Sequence, residues 1–234
     1  MKHYHSILLA VLFFCFTSVS AHSSCVVLLH GLARSDSSMK TLEKALVKQN
    51  YQVINQDYPS SEYSIKQLAE KFVSKAVNQC SKESEVNFVT HSMGGILVRE
   101  YLNNHKVENL NRVVMLGPPN QGSEVIDKIG TMPGFELFGG DAGLELGTED
   151  GSTPNTLGPA NFDVGVIAGT RSVNWVLSMM IPGTDDGKVS VERTKLEGMS
   201  DHLEVPVTHV FMIKRKAVIY QVIHYLENGI FERS

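Results

Sequence analysis

Residues 86–95 read Val-Asn-Phe-Val-Thr-His-Ser-Met-Gly-Gly and form the most informative segment of the chain. The apolar, β-branched residues at its start predict a buried strand, and the two glycines after Ser92 predict a tight entry into a helix. A serine between a strand and a helix is typical of a nucleophile elbow, which exposes the hydroxyl at the carboxyl edge of a sheet. Ser92 is therefore the candidate nucleophile, and the N–H of Met93 is a candidate donor to the oxyanion of an acyl transfer.

The residues two before and two after the serine are usually small in such an elbow, so that strand and helix can pass closely. Gly94 fills the second position, but Thr90 stands in the first, where its β-branched side chain is expected to cause crowding. A serine beside a helix N-terminus is also common for structural reasons, because its hydroxyl caps the helix. The segment alone leaves a catalytic and a purely structural role open.

Short apolar runs alternate with helical periodicities on both sides of this segment. Strands are predicted over residues 26–30, 52–55, 86–90, 112–116, 163–169, 188–191 and 202–207. Helices are predicted around residues 39–46, 64–77, 94–103 and 218–226, the second of them opened by a capping box at Ser64 and Gln67. Strands and helices in this order, joined by short connections, predict a parallel α/β sheet.

A second motif, Leu29-His30-Gly31-Leu32, ends the first predicted strand. In this architecture the loop after an early strand supplies the other oxyanion donor. Gly31 permits a tight backbone path, and the N–H of Leu32 is the predicted donor. His30 is expected to shape the loop through hydrogen bonds, and an incidental His-Gly at a strand end is the alternative.

An acid and then a histidine are expected downstream of the serine. The candidates for the acid are Asp185, Asp186 and Asp201, and those for the base are His202 and His209. We assign Asp186 as the acid that orients the base and His209 as the base. Spacing alone does not separate the two adjacent aspartates, and an Asp-Gly pair is also a common turn.

Together these motifs resemble those of the α/β-hydrolase lipases and esterases, over nearly the whole chain after residue 21. Residues 29–32 look like the oxyanion loop of bacterial lipases, and residues 90–95 are similar to their Gly-His-Ser-Met-Gly-Gly elbow. Residues 116–123 loosely resemble a turn that precedes the lid, with Gly117 in place of threonine. Residues 186–189 look like the Asp-Gly-x-Val acid loop, and this likeness favours Asp186 over Asp185; family likeness also favours His209.

This resemblance implies an α/β-hydrolase fold, with a mainly parallel sheet and helices on both faces. It implies a triad of Ser92, His209 and Asp186 and an oxyanion hole formed by Leu32 and Met93. Acyl transfer by such a triad needs no cofactor or metal, and the sequence has no dense carboxylate loop that would predict the structural calcium of some related lipases. The implied reaction is the hydrolysis of carboxylic esters, with a small-molecule ester or a lipid as substrate. A thioesterase, peptidase, amidase or acyltransferase with the same triad is the alternative, and a silent lipid-binding or interaction protein is another.

Many glycines and prolines lie between residues 130 and 159, and we predict a lid-like insertion over residues 122–159 that covers the site. Its apolar residues favour an acyl-chain substrate and a transient contact with a lipid surface. The expected apolar members are Ile126, Ile129, Met132, Phe135, Leu137, Phe138, Leu144 and Leu146. A plain structural loop is the alternative. The only tryptophan, Trp175, is expected to pack in the core or to line the pocket with Leu177, Met179 and Met180.

The first 21 residues have the pattern of a secretory signal peptide: Lys2, an apolar run over residues 7–16, and small residues before His22. We expect cleavage near His22, which leaves residues 22–234 as one domain in the periplasm or outside the cell. Cys25 and Cys80 then remain, and an oxidising compartment favours a disulfide between them, with two buried thiols as the alternative.

Composition excludes several classes of protein. Of the 234 residues, 42% are hydrophobic and 20% are charged, so a largely disordered or fibrous chain is excluded. Three cysteines are too few for a disulfide scaffold or a four-cysteine zinc site. The formal net charge of −4 makes nucleic acid an unexpected partner.

Overall fold

The computed structural model describes residues 24–233 of the chain. The predicted signal peptide and its cleavage point near His22 lie outside these residues. Among the described residues, no helix combines the length and the apolar content that crossing a bilayer requires.

Six strands form one sheet in the order β2-β1-β3-β4-β5-β6, and every neighbouring pair is parallel. The strands are β1 (Cys25–Leu29), β2 (Gln52–Gln56), β3 (Val86–His91), β4 (Leu110–Leu116), β5 (Val164–Gly169) and β6 (Asp201–Val205). All residues of β1, β3 and β5 are buried, as expected for parallel strands that are covered on both faces. The predicted parallel α/β sheet is confirmed.

Helices cover both faces of the sheet, because successive strand residues point to opposite sides. Val27 and Leu29 of β1 belong to one apolar cluster, whereas Val26 and Leu28 belong to the other. The helices are α1 (Lys40–Lys48), α2 (Ile65–Leu68), α3 (Ser74–Val77), α4 (Met93–Asn104), α5 (Glu124–Ile129), α6 (Glu136–Leu144), α7 (Thr153–Thr156), α8 (Trp175–Ser178), α9 (Val191–Thr194) and α10 (Lys216–Asn228). A π-helical turn, Ala69–Val73, joins α2 to α3.

Local signals explain where two of these helices begin. The predicted capping box is confirmed, since Gln67 N–H donates to Ser64 Oγ (3.3 Å) and Ser64 N–H donates to Gln67 Oε1 (3.2 Å). The predicted strand over residues 188–191 is wrong. Ser190 caps α9 by accepting from the N–H of Arg193, so the chain enters a helix where its two flanking valines suggested a strand.

A disulfide joins Cys25, the first residue of β1, to Cys80, which follows α3; the two Cα atoms are 5.8 Å apart. The bond closes a loop with a sequence separation of 55 residues. Loop-closure entropy of that size corresponds to about 4 kcal/mol of stabilisation, through the restriction of the unfolded chain.

The segment of residues 122–159 contains α5, α6 and α7 rather than a plain loop. The buried guanidinium of Arg99, on α4, anchors the chain at both ends of the segment. It donates to the carbonyl oxygens of Asn120 (2.8 Å), Pro154 (3.0 Å) and Gly158 (2.9 Å). Burial lowers the pKa of Arg99 to about 10, so the side chain stays charged at neutral pH.

Candidate active site

A cavity of about 350 Å³ lies at the carboxyl edge of the sheet. Its wall includes Gly31 and Leu32 after β1, Ser92 after β3 and His209 after β6. Parallel strands bring their carboxyl ends to one edge, so residues far apart in sequence meet there. The volume falls in the usual range for small-molecule sites, roughly 300–1,000 Å³.

Ser92 stands at a strained turn between β3 and α4. Its backbone has φ 54° and ψ −126°, a conformation that residues with a side chain rarely adopt. Two hydrogen bonds hold the turn: Ser92 N–H donates to Leu116 O (2.8 Å), and Gly95 N–H donates to Ser92 O (3.0 Å). Such strain costs about 1–3 kcal/mol and persists only where the surrounding structure enforces it. The turn therefore has the geometry of a nucleophile elbow.

Close packing explains the residues on either side of the serine. A Cβ atom on Gly94 would lie 2.6 Å from Leu29 O and 2.8 Å from His30 O, so only glycine fits there. Thr90 is fully buried, and its Oγ1 would lie 3.3 Å from a Cβ atom on Gly95. The crowding expected at Thr90 is avoided because Gly95, which faces its hydroxyl, has no side chain.

Thr90→Val is expected to raise the free energy of unfolding by about 1 kcal/mol, since Thr90 Oγ1 is a buried hydroxyl with no hydrogen-bond partner among the described residues. Thr194→Val is the matched control. Thr194 is equally buried, but its hydroxyl donates to Val191 O (2.6 Å), so its loss should lower stability by about 1 kcal/mol. Urea unfolding of both variants measures the difference, and a Thr90→Val variant as destabilised as Thr194→Val would contradict it.

Asp186 and His209 form a buried pair beside the cavity. His209 Nδ1 lies 2.7 Å from Asp186 Oδ2, and the backbone N–H of His209 donates to Asp186 O (2.9 Å). Asp186 Oδ1 accepts from the N–H groups of Lys188 (3.0 Å) and Val189 (2.9 Å). A carboxylate held this way orients the imidazole and assigns the proton to Nδ1, which leaves Nε2 able to accept another.

The other candidate acids and bases have different partners. Asp185 Oδ1 accepts from Ser178 Oγ (2.8 Å) and from Gly187 N–H (2.7 Å). Asp201 Oδ2 accepts from Arg233 Nη1 (2.9 Å), and His202 Nε2 lies 3.0 Å from Thr194 Oγ1. Of the five candidates, Asp186 and His209 are the acid and the base whose side chains lie within hydrogen-bond distance of each other.

The loop after β1 packs directly against the elbow. A Cβ atom on Gly31 would lie 3.1 Å from Ser92 Cβ. Among the described residues, neither the N–H of Leu32 nor that of Met93 donates to another protein group. His30 is buried, stacks on Tyr58 with ring centroids 3.9 Å apart, and has its Nδ1 2.9 Å from Gly31 O. Burial lowers the pKa of His30, so it shapes the loop as a neutral side chain.

His91 is a site residue that the sequence analysis missed. Its Nε2 lies 3.0 Å from His209 O, and a carbonyl can only accept, so Nε2 carries the proton. Burial, followed by the proximity of His209, holds the pKa of His91 well below its usual range. A neutral His91 thus ties the elbow to the loop of His209. The sequence signal that could have identified His91 is its position directly before Ser92.

Gly117, which stands where the related turn has threonine, lies against the Asp186–His209 pair. Its φ is 55°, and a Cβ atom would lie 3.0 Å from Asp186 Oδ2 and 3.1 Å from His209 Nδ1. Glycine supplies both the left-handed backbone and the space. Any side chain here would press on the acid or the histidine.

The segment of residues 122–159 forms the apolar wall of the cavity. Five of its expected apolar residues line the wall: Ile126, Ile129, Phe135, Phe138 and Leu146. Met132, Leu137 and Leu144 are exposed instead. The expectation for Trp175 is wrong in both forms, since its side chain is 71% exposed and lies outside the core and the cavity wall. It sits on the short helix α8, beside the exposed Met179.

Part of the chain matches the sequence profile of a known protein family. The sequence profile of the palmitoyl protein thioesterase family matches residues 25–153, slightly more than half of the chain. This span includes the predicted oxyanion loop and the elbow, and it ends before Asp186 and His209. No curated protein matches the sequence.

Solved structures of lipases and esterases share the fold. A lipase of Bacillus licheniformis in its mature form superposes with a TM-score of 0.65 at 20% identity, covering 89% of this chain and 93% of the lipase. A metagenomic carboxyl esterase has a TM-score of 0.68 at 16% identity, covering 89% and 77%. An esterase of Exiguobacterium antarcticum has a TM-score of 0.59 at 16% identity, covering 88% and 92%. At these identities the likeness shows an α/β-hydrolase fold of the lipase and esterase type.

Proposed function

The chain belongs to the palmitoyl protein thioesterase family, and we propose that it hydrolyses carboxylic esters of fatty acids through an acyl-enzyme on Ser92. The observation that carries the proposal is the shared cavity of Ser92 and His209, with the buried Asp186 carboxylate 2.7 Å from the histidine ring. The strained turn at Ser92 adds to it, because such strain is typical of functional positions.

In the proposed reaction His209 Nε2 takes the proton of the Ser92 hydroxyl while Oγ attacks the ester carbonyl carbon. The carbonyl oxygen becomes an oxyanion, which the N–H groups of Leu32 and Met93 stabilise; one such donor is worth about 3 kcal/mol. Collapse of this intermediate breaks the ester bond, and the proton on His209 goes to the leaving alcohol. Water, deprotonated by His209, then attacks the acyl-enzyme; the acyl–Oγ bond breaks, the fatty acid leaves, and His209 returns the proton to Ser92 Oγ.

Asp186 stabilises the protonated form of His209 and keeps the ring in one tautomer. Its two hydrogen bonds from Lys188 and Val189 hold the carboxylate in place throughout the cycle. A silent lipid-binding protein of the same fold would not need this arrangement, and the intact set of three residues favours catalysis over that alternative.

A thioesterase is the second candidate, because the matching family is named for the cleavage of palmitoyl groups from proteins. The same serine, base and oxyanion donors serve an ester and a thioester, since only the leaving atom differs. We further propose that residues 122–159 act as a cover whose apolar wall receives the acyl chain and whose exposed apolar residues contact lipid transiently.

We also propose that the protein is exported. Removal of residues 1–21 as a signal peptide would deliver one domain of residues 22–234 to the periplasm or the outside of the cell. The disulfide between Cys25 and Cys80 supports this, because such bonds persist in oxidising compartments.

Nitrophenyl esters of two to twelve carbons, with the matched acyl thioesters, test the proposed activity. We expect kcat/KM to rise by up to about fourfold per methylene group, as each one is buried against the apolar wall, until the cavity is filled. If kcat/KM rises in the same way with the chain length of the thioesters, and the esters are hydrolysed much more slowly, the thioesterase is favoured. No turnover of any ester or thioester, with binding of the same acyl chains retained, would reject hydrolysis in favour of the silent binding protein.

A further inference from the structure

Two cations line the cavity that contains Ser92 and His209. Arg34 follows the predicted oxyanion loop, and Lys188 follows Asp186 by two residues. Both side chains are exposed to solvent while they line the wall, which places them at the opening of the cavity. Within residues 24–233, neither forms an ion pair with a carboxylate.

The backbone at both cations is held in place. Lys188 N–H donates to Asp186 Oδ1 (3.0 Å), and Ser123 Oγ donates to Lys188 O (2.8 Å). Before Arg34, the backbone of Ala33 has φ 53° and its N–H donates to Ser60 Oγ (2.9 Å). Left-handed backbone at an alanine is costly, so the loop that presents Arg34 is enforced by its surroundings.

The two charges act on each other and on the site. Partial desolvation by the cavity wall, and then the proximity of Arg34, lower the pKa of Lys188, whereas Asp186 raises it. Both cations also contribute to the low pKa of His91, after burial and His209. Like charges that face one cavity repel each other, and a bound anion would relieve the repulsion.

The wall of the same cavity also contains the apolar residues Val125, Ile126, Ile129 and Phe135. One cavity thus offers an apolar wall for an acyl chain and a cationic opening for the other end of a substrate. A phosphate monoester suits the opening better than a carboxylate. It carries about −1.5 to −2 charges at pH 7 and has three acceptor oxygens, enough for the fork of an arginine and the ammonium of a lysine together.

We propose that Arg34 and Lys188 form an anion subsite that binds a phosphate on the leaving-group side of the scissile bond. The preferred substrates are then fatty acyl esters of phosphorylated small alcohols. This inference rests on the proposed function, because the subsite selects the leaving group of that reaction.

The first experiment compares 1-octanoylglycerol with 1-octanoylglycerol 3-phosphate, which share one ester bond and differ only in the phosphate. The readout is the ratio of kcat/KM for the phosphorylated ester to that for the neutral ester. We expect this ratio to exceed one in the wild-type protein and to fall at least tenfold in the R34Q/K188Q variant. The matched control is Lys48→Gln, an exposed cation at the end of α1, which should keep the wild-type ratio.

A second experiment measures binding without turnover, by calorimetry on the Ser92→Ala protein. Octyl phosphate should bind at least tenfold more weakly after R34Q/K188Q, whereas octyl glucoside should keep its Kd. Inorganic phosphate separates a lipid headgroup from free phosphate, because it lacks the chain that the apolar wall receives. If it binds as tightly as octyl phosphate, the site takes free phosphate and the proposal is overturned.

Two results separate this inference from the proposed function. In the first, R34Q/K188Q keeps both the kcat/KM ratio of the phosphorylated to the neutral ester and the Kd for octyl phosphate within twofold of wild type. This result would overturn the anion subsite while Ser92-dependent hydrolysis stands. Absence of Ser92-dependent hydrolysis would overturn the proposed function, and the binding experiment would still decide whether Arg34 and Lys188 hold a phosphate.

Discussion

Ser92→Ala is expected to lower kcat for ester hydrolysis by at least ~10⁴-fold and to abolish labelling by a fluorophosphonate. The variant lacks the oxygen that forms the proposed acyl-enzyme, and it would retain only binding and oxyanion stabilisation. Alanine tolerates the backbone at this turn about as well as serine does, so the fold should survive. Active-site labelling followed by mass spectrometry, with steady-state kinetics on a nitrophenyl ester, measures both effects.

Ser81→Ala is the control for this experiment, since Ser81 is an exposed serine after α3 and lies outside the cavity wall. It should label and turn over like the wild-type protein. Circular dichroism and thermal unfolding verify that both variants are folded. Labelling that persists in a folded Ser92→Ala protein would refute Ser92 as the nucleophile, whatever the kinetics.

Asp186→Asn is expected to lower kcat by about 10⁴-fold, because an amide in place of the carboxylate favours the wrong tautomer of His209 and cannot stabilise its protonated form. Asp185→Asn is a matched control one residue away. The amide oxygen can still accept from Ser178 Oγ and Gly187 N–H, the two groups that Asp185 Oδ1 binds. We expect Asp185→Asn to retain kcat within tenfold of wild type.

Pre-steady-state kinetics with a nitrophenyl ester show where the loss occurs. Both the acylation burst and the subsequent turnover should slow in Asp186→Asn, since the proposed mechanism uses His209 as base in each step. Equal losses in the two asparagine variants would contradict the assignment of Asp186, and would instead indicate that the whole acid loop has shifted.

The sheet and the longer helices could be predicted because each of these elements has a local signal. Parallel strands covered on both faces appear as short apolar runs, and the helices between them show one apolar stripe. The strand wrongly predicted over residues 188–191 shows where prediction from short apolar runs fails. Val189 and Val191 suggested a strand, but Ser190 caps a helix, and two valines are too few to outweigh a cap.

The apolar residues of the segment 122–159 show a second limit. Hydrophobicity alone did not distinguish Phe135, which is buried in the cavity wall, from Leu137, which is 85% exposed. Hydrophobicity also did not predict that Trp175 lies on the surface. Burial depends on which face of a short helix meets the rest of the protein, and a helix of one or two turns carries too few residues to show a period.

The order of motifs along the chain was sufficient to predict the α/β fold, the elbow at Ser92 and the loop at Leu32, because strand, turn and helix are contiguous in sequence. The choice of Asp186 over its neighbour could not come from spacing. Adjacent residues point in different directions, and only the packed loop shows which carboxylate reaches His209. Likewise, the contact of His91 with His209 O joins residues 118 positions apart. The cavity opening shared by Arg34 and Lys188 also exists only after β1 and the acid loop meet at one edge of the sheet.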